Sequence, residues 1–294
     1  MKTETRADDL ERFKALMQRP RVAWPTLALL VAAVALFSAA TAAHLLGHLP
    51  LGWAMTFNAV ASYLAFTVAH DATHSAVSTN RRLNDWVGRI AILLLEPGPF
   101  FPVFRFIHMQ HHRHTNHPEL DPDAYCGRGP RWLLPLRWLT LDGVYFKHYL
   151  SPAIFRKRPP GERREFFLAV LFTVTVVSAL ALSGWLVPYL LLFFIPSRIA
   201  KFVIVLAFDF LPHHPHEVTA KADPYRATSN RVGLERVLTP LLIYQNYHLV
   251  HHLYPAMPFY RNLRLWDARR AHHEAQDPAR VRPFKLRPEP AVDR

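Results

Sequence analysis

Residues 22–43 read VAWPTLALLVAAVALFSAATAA, a run of 22 positions without one charged side chain. As a helix rising about 1.5 Å per residue it covers roughly 33 Å, enough to cross the hydrocarbon core of a bilayer. Its apolar residues come as a block and lack the 3.6-residue or two-residue period of an element with one wet face. A membrane is the natural place for it.

The same reading extends outward. Residues 51–69 form a second uncharged run of 19, reached through a short linker with Gly47 and Pro50. Residues 166–182 make a third span, Ser183-Gly184 a tight reversal, and residues 185 to about 211 a fourth. Arg198, Lys201 and Asp209 fall inside the fourth. A basic residue at a helix centre costs about 2.5–3.5 kcal/mol on insertion scales unless it faces protein, so this helix is expected to be sheltered and to line something polar. Between the second and third spans, residues 70–165 carry 14 Lys or Arg, and the apolar run 90–95 ends at Glu96-Pro97-Gly98-Pro99. Six residues cannot cross, so this stretch is expected in or on the interface.

The expected fold is therefore an all-α integral membrane protein, with four transmembrane helices in two hairpins and a cytosolic helical cap. Residues 1–21 read as a cytoplasmic tail, 22–276 as the membrane domain, and 277–294, with four prolines among basic residues, as a loosely held tail. The 35 Lys and Arg all lie in the tail, the 70–165 segment, the fourth span or beyond residue 212, and the two short outer loops have none. By the positive-inside rule both termini and the middle segment are cytoplasmic, at a bacterial-type inner membrane. The net charge of +13 suits topology and anionic lipid headgroups, and would suit an acidic electron carrier; nucleic acid is not expected in a four-span chain.

Composition directs attention to histidine, 18 residues against a single Cys126, which reads as an ordinary buried thiol. His70 and His74 stand at i and i+4 after the second span. His108, His111 and His112 stand at i, i+3 and i+4, a spacing that His248, His251 and His252 repeat, and His213 follows the fourth span. On a helix, i and i+4 imidazoles share a face and can ligate one metal while the i+3 ring reaches a neighbour. Neutral nitrogen donors suit Fe, Zn, Cu or Ni and argue against Mg or Ca, and clusters from distant sequence suggest two metals. His44 and His48 read as interfacial, His148, His272 and His273 as surface residues, and His114, His117, His214 and His216 as edges of the clusters. No zincin helix, Glu-x-x-His pair or glycine-rich nucleotide loop is present.

These motifs resemble the membrane fatty-acid desaturases and hydroxylases, whose mark is three histidine boxes around a cytosolic di-iron centre. The resemblance covers residues 70–266. Phe101-Pro102-Val103-Phe104, Asp121-Pro122-Asp123, Asp209-Phe210-Leu211-Pro212-His213 and Gln245-Asn246-Tyr247-His248 are most similar to β-carotene hydroxylases of the cyanobacterial type, with carotenoid ketolases sharing part of the pattern.

The resemblance implies two iron ions held by His70, His74, His108, His111, His112, His213, His248, His251 and His252. Asp71, Asn116, Asp121 and Asp123 are implied as acceptors that fix imidazole tautomers, and Asp209 stands where acyl desaturases have an asparagine. It further implies an O2-dependent monooxygenase or desaturase acting on an apolar lipid, with hydroxylation of a β-carotene ring favoured over acyl desaturation. Electrons must come from a separate ferredoxin or small haem protein. A metal transporter is the remote alternative, and would need ligands within the spans.

Overall fold

The computed structural model describes residues 2–290, with side chains over 8–290; Lys2, Glu4 and Arg6 of the basic tail as side chains, and residues 291–294, lie outside the described residues. Regular structure is nearly all helical: α1 (Lys2–Leu16), α2 (Trp24–Leu45), α3 (Leu51–Thr73), α4 (Arg81–Ile92), α5 (Phe101–His114), α6 (Leu134–Tyr149), α7 (Pro160–Leu182), α8 (Leu186–His213), α9 (His248–Leu253), α10 (Asn262–Ala268) and α11 (Arg270–Glu274), with shorter turns between. Two strands, β1 (Asn230–Arg231) and β2 (Arg280–Val281), pair in parallel.

Helices α2, α3, α7 and α8 are long and apolar enough to cross a membrane. The third begins six residues before the expected span, because Pro160 opens a helix whose first turns carry the charged stretch 162–165. Helix α3 is the hub, packed by α2, α4, α5 and α8. Its Ala54, Ala61, Ala65, Ala69 and Ala72 are buried and let neighbouring backbones approach closely. Residues 65–74 are all buried, so the end that carries His70 and His74 is enclosed on every side.

Helix α8 is not uniform. Residues Leu190–Phe194 and Val205–Phe210 are π-helical, the kind of bulge that frees carbonyls and often marks a functional site. At the first, Asn58 Nδ2 donates to Leu192 O at 2.6 Å and to Thr41 Oγ1 at 3.0 Å. The second re-aims the last turn, so that Asp209 and His213 both reach the interior.

Four sequence expectations are corrected. The α4–α5 connection does not stay at the interface: Leu94 O accepts from Ser62 Oγ at 2.6 Å, Pro97 O from Thr173 Oγ1 at 3.3 Å, and Glu96 meets Lys201 at 2.6 Å. Ser62 and Thr173 sit near the middle of α3 and α7, so this irregular backbone packs among the long helices with these polar groups satisfied by protein. The N-terminal segment is a packed helix: Phe13 is buried against Tyr254 and Trp266, and Arg261 Nη1 donates to Leu16 O and Gln18 O at 2.6 Å.

The chain beyond residue 277 is pinned. Arg231 Nη1 donates to the carbonyls of Arg282, Pro283 and Lys285, and Arg226 Nη2 to that of Glu289. His273, expected at the surface, is fully buried, stacked on Trp266 at 4.9 Å and bonded to Tyr225 Oη at 3.1 Å. Aromatic faces from three segments offset the loss of water around its ring.

Candidate metal centre

Four pieces of chain bring imidazoles to one place. Helix α3 ends at Thr73 with His70 in its last turn and His74 as its C-cap. Helix α5 carries His108, His111 and His112, the bulged end of α8 carries His213, and the short α9 carries His248, His251 and His252. A left-handed Tyr244 (φ 64°) turns the chain into α9 through the single turn Gln245–Tyr247.

The nine rings form two groups. His70, His74, His108, His112 and His251 have ligand atoms within 4.8 Å of one another, as do His111, His213, His248 and His252. In each triplet the i and i+4 rings share a group and the i+3 ring crosses to the other, as helical spacing requires. The groups abut where His112 and His252 stack, centroids 4.2 Å apart. His114, His117, His214 and His216 lie outside both.

Do these donors fit a metal? Within the first group, Nε2 separations are 2.9 Å for His74–His108, 3.2 Å for His108–His112 and 3.0 Å for His112–His251. In the second they are 3.0 Å for His213–His248, 3.1 Å for His248–His252 and 3.4 Å for His111–His252. Nitrogens about 2.1 Å from a common transition-metal ion at right angles stand about 3.0 Å apart. Burial, and then the neighbouring imidazoles, hold His74, His108, His112, His248, His251 and His252 well below the usual histidine range. They are neutral, with the lone pair that ligation needs. The donor set therefore fits two transition-metal ions.

The next layer is uneven. His111 Nδ1 donates to Asp121 Oδ1 at 2.9 Å and lies 3.2 Å from Asp123 Oδ2. Burial pulls its pKa down, but the Asp121 and Asp123 carboxylates outweigh burial and raise it to about 9. Tyr145 Oη holds Asp123 in turn at 2.5 Å. The other two expected acceptors touch no imidazole. Asp71 accepts from Thr26 Oγ1 at 2.9 Å and from Phe259 N at 3.2 Å, tying the third box to α3. Asn116, in a left-handed turn (φ 62°), donates to Val218 O and Ala227 O and staples two loops. Asp209 lines a cavity together with His108. Gln245 was given no role by the sequence, yet its Oε1 accepts from His248 Nδ1 at 3.1 Å; its position three residues before that histidine is the signal that could have found it.

That cavity is walled by Phe66, Phe100, Val103, Phe104, Leu141 and Ile204 and touches the first group at His108. A largely apolar pocket thus adjoins imidazole nitrogens that could hold metal, among helices long enough to cross a membrane. The sequence profile described as fatty acid desaturase matches residues 47–284, and the chain belongs to that family. It is 30% identical over 198 residues to a beta-carotene ketolase of Paracoccus sp., covering 67% of this chain and 71% of the relative. It is 30% identical over 267 residues to the chloroplastic omega-6 fatty acid desaturase of Spinacia oleracea, covering 82% of this chain and 58% of the relative. A zeaxanthin 4-ketolase of Chlamydomonas reinhardtii is 27% identical over 199 residues, 66% of this chain and 39% of that one. The protein is thus an integral membrane oxidoreductase acting on lipid, with carotenoid-modifying relatives.

Proposed function

We propose that the chain hydroxylates a ring carbon of β-carotene, using dioxygen and electrons from a separate ferredoxin or small haem protein. The observation that carries this reading is the five-and-four grouping of imidazoles beside a largely apolar cavity that His108 also lines. His70, His74, His108, His112 and His251 would hold one iron, and His111, His213, His248 and His252 the other. Bound iron supplies dioxygen reduction and the oxidation of an unactivated C–H bond.

The chain's own contribution is positional. The aromatic walls bind an apolar ring and exclude water, and His108, shared by cavity and metal group, sets which carbon lies nearest the metal. Asp121 and Gln245 fix the Nδ1–H tautomers of His111 and His248, turning both Nε2 atoms inward. We place the histidines and both termini on the cytoplasmic side, with α2–α3 and α7–α8 as two hairpins and the remaining helices as a cap around residues 22–276. The positive-inside distribution supports this orientation, and the basic face suits an acidic donor and anionic lipid.

Expression in a β-carotene-accumulating host, with pigments and membrane lipids analysed by mass spectrometry, tests the reading. A mono-oxygenated carotenoid is expected, and its formation should vanish in His111→Ala and His251→Ala. Acyl desaturation is the second reading, favoured by similarity to the Spinacia desaturase over 82% of the chain. Loss of two hydrogens from acyl chains, with carotenoids unchanged, would establish it instead.

A further inference from the structure

Helix α7 opens with Glu162-Arg163-Arg164-Glu165, a stretch of zero net charge in the sequence. Winding it into a helix separates the signs. Glu162 and Glu165, at i and i+3, both meet protein partners: Glu162 Oε2 accepts from Arg158 Nη2 at 2.6 Å, and Glu165 Oε1 from Arg89 Nε of α4 at 2.5 Å. Arg163 and Arg164 fall on the other side, and neither has an ion pair among the described residues. They head a groove of about 420 Å³ walled by Phe155, Phe167, Leu168 and Leu171, and no acidic side chain lines it.

Positions 163, 167 and 171, and likewise 164 and 168, lie one helical turn apart, so the basic pair stands in line with the apolar three. Phe167, Leu168 and Leu171 are 60%, 54% and 61% exposed and belong to the uncharged run 166–182, whose outer side chains meet acyl chains in a membrane span. Arg164 precedes that run by two residues, about 3 Å along the axis, which puts both guanidiniums at the level of lipid phosphates. Arg163 Nε is buried with no hydrogen-bond partner. This cation has therefore lost part of its water without gaining a counterion. Guanidinium forks match pairs of phosphate oxygens. A phosphodiester whose chains run down past Phe167 and Leu171 supplies the missing charge and covers the apolar surface together. A soluble acidic protein could reach the arginines but not the side chains within the span.

We infer that Arg163 and Arg164 bind the phosphate of an anionic phospholipid from the surrounding bilayer, seated in the groove at the start of α7. The site is separate from the imidazole groups and independent of which lipid is oxidised there.

Native mass spectrometry of the purified full chain, titrated with phosphatidylglycerol or with phosphatidylcholine of the same acyl chains, reads the affinity for the first lipid bound. Both headgroups carry the phosphate, but choline adds a cation that the arginines repel. At about fivefold for each basic residue beside an anionic headgroup, the wild type should prefer phosphatidylglycerol by about 25-fold. Arg164→Gln, at an exposed position, should keep about fivefold of that preference. Arg163→Gln combined with Arg164→Gln should bring the ratio near unity, and the single variant carries the test should the double one fail to fold. Lys221→Gln with Arg236→Gln removes the same charge from exposed positions outside the groove and should leave the wild-type preference intact. A wild-type ratio near unity, a preference that survives the double change, or an equal fall in the Lys221 and Arg236 variant overturns the inference. So does displacement of the bound lipid by inorganic phosphate at matched ionic strength, since the groove would then bind phosphate without its chains. Weaker binding of a ferredoxin to the double variant, with the lipid preference unchanged, would likewise make the arginines a protein-docking surface instead.

Discussion

His111 differs from the eight imidazoles around it in what stands behind its ring. A carboxylate on Nδ1 makes Nε2 a stronger metal donor, and partners of this kind change metal affinity about 10–100-fold when removed. Asp121→Asn is therefore expected to weaken metal binding by the His111 group by that factor while the His108 group keeps its ion. Metal content after graded chelation measures it, and equal loss from both groups would count against the assignment. His273 makes a separate, pH-dependent contribution. Burial, then the charges of His272 and Arg269, lower its pKa to about 4, against about 6.5 in the unfolded chain. The unfolded state thus takes up the proton first on acidification, and the stability present above pH 6.5 is lost as pH falls toward 4. The wild-type Tm should drop more between pH 7.5 and 5 than that of His273→Phe. At this scale much was legible, because i, i+3 and i+4 spacing encodes which rings converge. The roles of Asp71 and Asn116 were not, since Phe259 and Ala227 are 188 and 111 residues away in sequence.

Helix α9 has six residues, too short to persist alone in water. Leu249 and Val250 are fully buried among Tyr247, Met257, Leu265 and Phe13, and that packing holds it. Asp71 supplies the link to α3. Its replacement by alanine strands the buried Thr26 hydroxyl and Phe259 N–H, at about 1–3 kcal/mol for each unpaired group. Asp71→Ala should consequently lower the Tm in detergent and speed metal loss, with Thr26→Val giving the smaller effect; an unchanged Tm would remove Asp71 from this role. The four long helices could be read from sequence because only apolar runs near 20 residues span a bilayer. The buried α4–α5 connection could not, because its depth depends on Lys201, 105 residues beyond Glu96. In α1 a period was present and passed over: Phe13, Leu16 and Met17 stand at i, i+3 and i+4, and all three pack at the core beside α9 and α10.

Across the whole molecule, the first and last stretches both close on the metal end. Arg261 holds the end of α1, while Arg231 and Arg226 hold residues 282–289. Strand β1 stands between the two contributions to the second imidazole group: Ser229 N donates to Pro212 O at 2.9 Å, and β1 packs on α9. Ending the chain after Asp277 removes β2 and leaves Arg231, 9% exposed, as a cation without its carbonyls. Such a truncation should lower the Tm by several degrees, on the order of 2–3 kcal/mol for this unpaired charge, and release metal from the His111 group first. The pairing also makes this end of the molecule a long-range assembly, because β1 gains its partner only when residues 280–281, 50 positions further along the chain, have folded back on it.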